Sequence, residues 1–167
     1  RLLGISGRSR KTQLELARKC EIKDYMSPAG GCLLTDKAFS RRLKDLLEKV
    51  PAYNLDDLRM LRVGRHFRIG PENKLVVARN RMENRRISML KPSASCVLTP
   101  VDFAGPVAVL YGPATPEAVR TAALAIMRYG RPAKDEAKIK LSKEDGEEII
   151  EGTIEPEAVC ELEETII

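Results

Sequence analysis

Residues 115–130 carry the firmest folding instruction in the chain. Thr115-Pro116-Glu117 supplies a capping hydroxyl, a proline at the first helical position and a carboxylate at the positive end of the helix dipole. Val119, Ala122, Ala123, Ile126 and Met127 then recur at helical spacing up to Gly130, which can end the helix. A helix this apolar along one face must lie on other structure, and the chain offers short strand candidates for it. Val63–Ile69 and Lys74–Arg79 read as a hairpin turned at Gly70-Pro71-Glu72-Asn73. Cys96–Thr99, Val107–Tyr111, Lys138–Leu141, Glu148–Ile150 and Ala158–Leu162 read as further strands. Helices and strands are interspersed with no sustained strand–helix–strand series. The expected class is therefore α+β, with short N-terminal helices followed by a mostly antiparallel sheet packed with one or two helices.

The N-terminal helices are legible one by one. Leu14, Leu16, Ala17 and Cys20 mark a short helix from Lys11 to near Glu21, followed by a turn-rich Ser27-Pro28-Ala29-Gly30-Gly31-Cys32. Thr35 or Asp36 can cap a second helix, in which Phe39, Leu43, Leu46, Leu47 and Val50 form an apolar stripe before Pro51 stops it. A short helix over Leu55–Leu61 and another over Asn80–Leu90 follow. This organisation predicts a basic helical extension over residues 1–60 and an α+β domain over residues 61–167.

Several function classes drop out. No segment approaches the roughly 18 consecutive apolar residues of a membrane span, and the opening Arg1-Leu2-Leu3-Gly4 has no secretory-leader pattern. The start without Met suggests a piece of a longer protein. Four scattered cysteines (Cys20, Cys32, Cys96, Cys160) fit a reducing, cytoplasmic setting and lack the C-x-x-C spacing of a tight metal grip. With three Phe, four Tyr and no Trp, the core must be aliphatic. Phosphate-loop, zinc-protease and nucleophile-elbow motifs are missing, and the single histidine, His66, leaves little for Ser–His or Cys–His chemistry.

Charge is the informative quantity. Residues 1–90 hold 21 Lys+Arg against 10 Asp+Glu, a net +11, whereas residues 91–167 hold 8 against 14, a net −6. Most of the basic residues in the first half are Arg, whose planar fork suits phosphate better than an ammonium does. A polyanionic partner on the first half is expected. Three clusters are candidates for contacting that polyanion. Arg41, Arg42 and Lys44 lie on the second helix. Arg65, His66 and Arg68 lie on a strand whose alternation puts Phe67 and Ile69 on one face and His66 and Arg68 on the other. Arg79, Asn80, Arg81 and Asn84 run from a strand end into a helix that Asn80 can cap, a natural backbone-phosphate site. For His66 between arginines, hydrogen bonding or base stacking is more apt than general-base work. Aromatic platforms are sparse: Tyr25, Phe67 and Phe103 are the candidates, with Phe67 better placed in the core. Recognition through phosphate, 2′-hydroxyl and shape is thus expected over base-by-base reading.

Two resemblances sharpen this. Ser6-Gly7-Arg8-Ser9-Arg10-Lys11, Ser27-Pro28-Ala29-Gly30-Gly31-Cys32-Leu33-Leu34-Thr35-Asp36 and Phe39-Ser40-x-Arg42-Leu43-x-Asp45-Leu46-Leu47 resemble the segment after the ATP-pyrophosphatase (PP-loop) domain of tRNA thiouridylase-like proteins, as does Gly64-Arg65-His66-Phe67-Arg68. Val77-Ala78-Arg79-Asn80-x-x-Glu83-Asn84 resembles the Gly-Arg-Asn-x-x-Glu-Asn opening of the NFACT RNA-binding domain, with Ala78 in place of Gly. That domain's Asp-x-Trp-x-His element is reduced to Asp102-Phe103. The resemblance implies an RNA-binding module that positions tRNA for a PP-loop domain in the parent protein. ATP would belong to that absent domain, with no cofactor in this chain and no catalysis by it alone. An alternative makes Cys32 a sulfur carrier, or with Cys20 an iron–sulfur ligand. A third makes the chain a structural docking domain.

Overall fold

The computed structural model describes residues 11–22, 33–92 and 95–167, and two compact units divide at residues 33 and 34. In the first unit, α1 (Lys11–Lys19) buries none of its residues. It closes through Glu21 in a left-handed turn, with the Ile22 amide donating to the Ala17 carbonyl at 2.9 Å. Cys20 is exposed, while Cys32, Tyr25 and the Pro-Ala-Gly-Gly-Cys turn fall outside the described residues.

The second unit is α+β, as expected. It holds α2 (Lys37–Lys49), α3 (Leu55–Met60), β1 (Arg65–Arg68), β2 (Lys74–Val77), α4 (Arg81–Leu90), β3 (Cys96–Pro100), β4 (Ala108–Tyr111), α5 (Pro116–Gly130), β5 (Glu136–Lys143), β6 (Gly146–Thr153) and α6 (Pro156–Glu164). The strands form one antiparallel sheet in the order β1-β2-β4-β3-β5-β6. Short connections run between neighbours except where α4 and α5 intervene, and this leaves the β1–β2 hairpin against β4 rather than β3. The last residues close the β1 edge: the Arg68 amide donates to Thr165 and the Ile167 amide to His66.

Alternation within β2 separates two apolar layers. Leu75 and Val77 face the α5–α6 side, where Phe67, Leu98, Leu110, Ile126, Met127 and Ile139 are fully buried. Val76 faces the other side with Met60, Val63, Ile87 and Val109, beneath α3 and α4. The sheet is thus covered on both faces at the β1–β2–β4 end. The core is aliphatic apart from Phe67.

Most local signals act as expected. Asp36 caps α2 by accepting from the Phe39 amide at 2.8 Å, Asn80 caps α4 through the Glu83 amide at 3.0 Å, and Thr115 caps α5 through the Ala118 amide at 3.2 Å. The helix capped by Thr115 ends at Gly130, as expected, and Arg131 follows it in the left-handed cap position at φ 56°. One expectation needs correction. Residues 158–162 are not a strand but the body of α6. Pro156-Glu157 repeats the opening of α5, and Ala158, Val159 and Leu162 are spaced to lie on one helical face against the core.

Candidate nucleic-acid interface

The β1 start, the β2–α4 junction, the β3–β4 connection and the end of α5 enclose a groove of about 620 Å³. Arg65, Arg79, Asn80, Arg81 and Asn84 all line it, with Phe103, Gly105, Tyr129 and Gly130. Five of the sequence candidates therefore converge from two separate clusters.

Their geometry follows from one carboxylate. Glu83 Oε2 accepts from the Arg79 amide at 2.8 Å and from the Gly64 amide at 3.2 Å, just before β1. The Gly64 carbonyl in turn accepts from Arg79 Nε at 3.1 Å and from Arg79 Nη2. This closed set joins the start of β1 to the start of α4. Gly64 is required in it: its φ is +78°, and a Cβ there would stand 2.8 Å from the Val77 carbonyl oxygen. One edge of the Arg79 guanidinium is thus committed, and the side chain remains 41% exposed. Asn84 is a pin rather than a free contact. Its Oδ1 accepts from the Val107 amide at 2.9 Å, and its Nδ2 donates to the Gly105 carbonyl. Asn80 spends its side-chain oxygen on the helix cap, while α4's first-turn amides keep the positive end of the dipole at the groove.

The opposite wall is aromatic. The Arg65 guanidinium carbon lies 4.3 Å from the centre of the Tyr129 ring, a cation–π contact, and its Nη1 donates to the Ala78 carbonyl at 3.5 Å. Burial pushes the Tyr129 phenol up, against the pull of Arg65, so it stays neutral. Phe103 fits beside it because two neighbours lack side chains. A Cβ on Gly130 would meet the Phe103 ring at 2.5 Å, and one on Gly105 at 2.8 Å. Asp102 holds the same connection by accepting from the Lys138 amide at 3.1 Å. Arg81 is exposed and, among the described residues, has no ion-pair partner.

The other candidates lie elsewhere. His66 is fully buried, because α2 and α3 cover the face of β1 that the alternation left to solvent. Its Nε2 sits 2.8 Å from the Val63 carbonyl, which fixes the Nε2–H tautomer, and burial with Lys74 and Arg42 nearby drives its pKa down to about 3. Arg68 makes a two-pronged pair with Asp45 at 2.8 and 2.6 Å, and Lys74 joins that carboxylate at 3.2 Å. Burial works against ionising Asp45, but the Arg68 hydrogen bonds and the Lys74 charge hold its carboxyl below the usual range. Arg42 is half-buried, donating to the Ile167 and Leu61 carbonyls. Arg41 and Lys44 are on α2, not at the groove, and Lys44 stands 3.7 Å from Glu48. Sequence reasoning missed Tyr129, whose partner Arg65 lies far away in sequence and left no local signal. It also passed over Glu83 as an organiser, although Asn80-x-x-Glu83 is a capping signature.

No helix among the described residues is long and apolar enough to cross a membrane. No curated protein matches the chain. Among solved structures, the C-terminal part of the fibronectin/fibrinogen-binding protein from Streptococcus suis aligns over 63% of this chain with a TM-score of 0.53 and 11% identity, a likeness of fold. The chain spans 50% of that structure's length. The family described as NFACT protein RNA binding domain matches residues 64–164, from the glycine at the edge of the groove to the end of α6. The chain belongs to the NFACT protein RNA binding domain family.

Proposed function

We propose that this chain binds structured RNA, tRNA in the parent protein, through the groove between α4 and the end of α5. The observation that carries the reading is the convergence of Arg65, Arg79 and Arg81 on one concave surface, at a helix N-terminus and beside two aromatic rings. Arg65 and Arg81 present guanidinium edges to phosphate, Arg79 offers its remaining edge, and Tyr129 and Phe103 offer ring faces to ribose or an unstacked base. Asn80 and Asn84 contribute by fixing the helix and the 105–107 loop that shape the site. His66 and Arg68, which are committed inside the fold, support the strand that carries Arg65.

Residues 61–167 form the RNA-binding domain in this reading. Residues 1–60 form its basic extension, of which α2 is tied to the domain through Arg42 and Asp45. The parent would be a cytoplasmic PP-loop protein that uses ATP to replace oxygen by sulfur in tRNA, with this domain presenting the substrate. The Pro28-Ala29-Gly30-Gly31-Cys32 and Ser6-Gly7-Arg8 motifs support that finer assignment.

Anisotropy of labelled tRNA against Arg65→Ala/Arg81→Ala tests the site. The affinity is expected to fall about tenfold per arginine, from the roughly 1.5–3 kcal/mol of a charged hydrogen bond. Unchanged affinity for tRNA would remove the groove as the contact.

A further inference from the structure

The groove lies at one end of α4, and the other end of the same helix is also basic. There Arg59, Arg62, Val63, Arg86, Met89 and Leu90 line a second cleft of about 330 Å³ between α3 and α4. Arg59 is held by Asp56 at 2.9 Å, but Arg62 and Arg86 are exposed and have no ion-pair partner among the described residues. The single acidic residue of α4 is Glu83, and its carboxylate is turned into the Gly64 and Arg79 amides. The exposed side of α4 between the two clefts therefore carries uncompensated positive charge.

Spacing places an exposed face of α4 between the two clefts. Met82, Arg85, Arg86 and Met89 follow the i, i+3, i+4, i+7 rule and share a face. Met82 is 70% and Met89 83% exposed, well beyond what a helix that merely packs needs to leave open. Guanidinium groups flanked by thioethers suit a nucleic-acid strand, with phosphates on the arginines and sulfur against base faces. The 10 residues of α4 span about 15 Å at 1.5 Å each. A strand with a phosphate about every 3.4 Å of duplex axis covers that length in about four to five nucleotides.

We infer that the RNA contact continues from the groove along α4 to Arg62 and Arg86, so that the domain holds a continuous stretch of phosphodiester backbone. This rests on the RNA-binding reading above. A protein partner on the same Met–Arg stripe would be indifferent to the polyanion and is an outcome of the same test.

The experiment measures binding of the full chain to a labelled 12-nucleotide single-stranded RNA and to tRNA across a salt series, for the wild type, Arg62→Ala/Arg86→Ala and Arg65→Ala/Arg81→Ala. Arg62, Arg81 and Arg86 are exposed and Arg65 is half-buried, and circular dichroism checks that the variants are folded. Loss of two phosphate contacts predicts a fall of about tenfold or more for Arg62→Ala/Arg86→Ala, with the log–log salt slope flatter by about 1.4 on the single strand. If that variant binds both RNAs with wild-type affinity and slope while Arg65→Ala/Arg81→Ala loses binding, the extended track is wrong and the groove stands. If neither variant loses affinity, the groove and the track fall together.

Discussion

The two ends of the sheet treat cations in opposite ways. Around β5, β6, α5 and α6, Arg120 faces Glu155, Arg128 faces Glu163, Lys140 faces Glu147 and Lys143 faces Glu148. Around α4, Arg62, Arg81, Arg85 and Arg86 have no such partner among the described residues: Asp56 holds Arg59, and Glu83 serves the Gly64 and Arg79 amides. Four cations of the first region are paired with carboxylates, whereas these four arginines of the second are not. A third arrangement lies between them: Arg68 and Lys74 are basic residues of the first half, yet both are spent on the nearly buried Asp45. In the proposed reading, a sequence excess of arginine becomes a binding surface where the fold withholds carboxylates from it.

The largest expected effect breaks the buried arrangement. Asp45→Ala leaves two cations facing each other in a site where Arg68 is 17% and Lys74 8% exposed. Chemical denaturation should show a loss of about 3–5 kcal/mol. A loss below 1 kcal/mol would mean that these cations are solvated and available, which erases the contrast with α4.

Acid probes the same layer through His66. In the unfolded chain imidazole takes up its proton near its ordinary value of 6.5, but in the fold only at about 3. Protons therefore favour the unfolded chain throughout that interval, and stability present above pH 6.5 is lost as the pH falls. Between pH 7 and pH 5 the loss should be about 2 kcal/mol. His66→Gln, which can still donate to the Val63 carbonyl, should flatten that profile. An unchanged profile in the variant would place His66 in contact with water.

Smaller again is the effect of Glu83→Ala. It frees the Arg79 and Gly64 amides and should cost about 1–2 kcal/mol, near the upper range for a lost helix cap. It should also weaken RNA binding with Arg79 itself intact. Loss of stability with RNA affinity unchanged would detach the groove's shape from its function. The smallest effect is expected on the self-satisfied side: Arg120→Ala should shift stability by no more than about 0.5 kcal/mol, since exposed pairs contribute little.

How much of this was legible in sequence depends on range. Caps, stripes and stop signals act within a few residues, so α2, α4, α5 and the β1–β2 hairpin could be read from their own segments. The end of the chain shows the limit. Pro156-Glu157 carries the same opening as α5 but has no side-chain cap at Glu155, and five apolar-rich residues are too few to separate a period of 3.6 from one of 2. Strand alternation assigned His66 to the open face correctly as far as β1 alone goes, but α2 and α3 then cover that face. The groove was half legible. The Arg79–Asn84 run announced itself through its cap, whereas the Arg65–Tyr129 stack spans two elements far apart in the chain, and no local pattern encodes it.

The contrast between satisfied and unsatisfied cations is tested most directly by charge-matched double variants. Arg65→Ala/Arg81→Ala and Arg120→Ala/Lys140→Ala each remove two positive charges, one pair from the groove and one from the self-paired end. Titrated with tRNA at a single salt concentration, the first is predicted to bind at least about tenfold more weakly and the second with wild-type affinity. Equal losses in both would show that only net charge matters and would contradict a defined site beside α4.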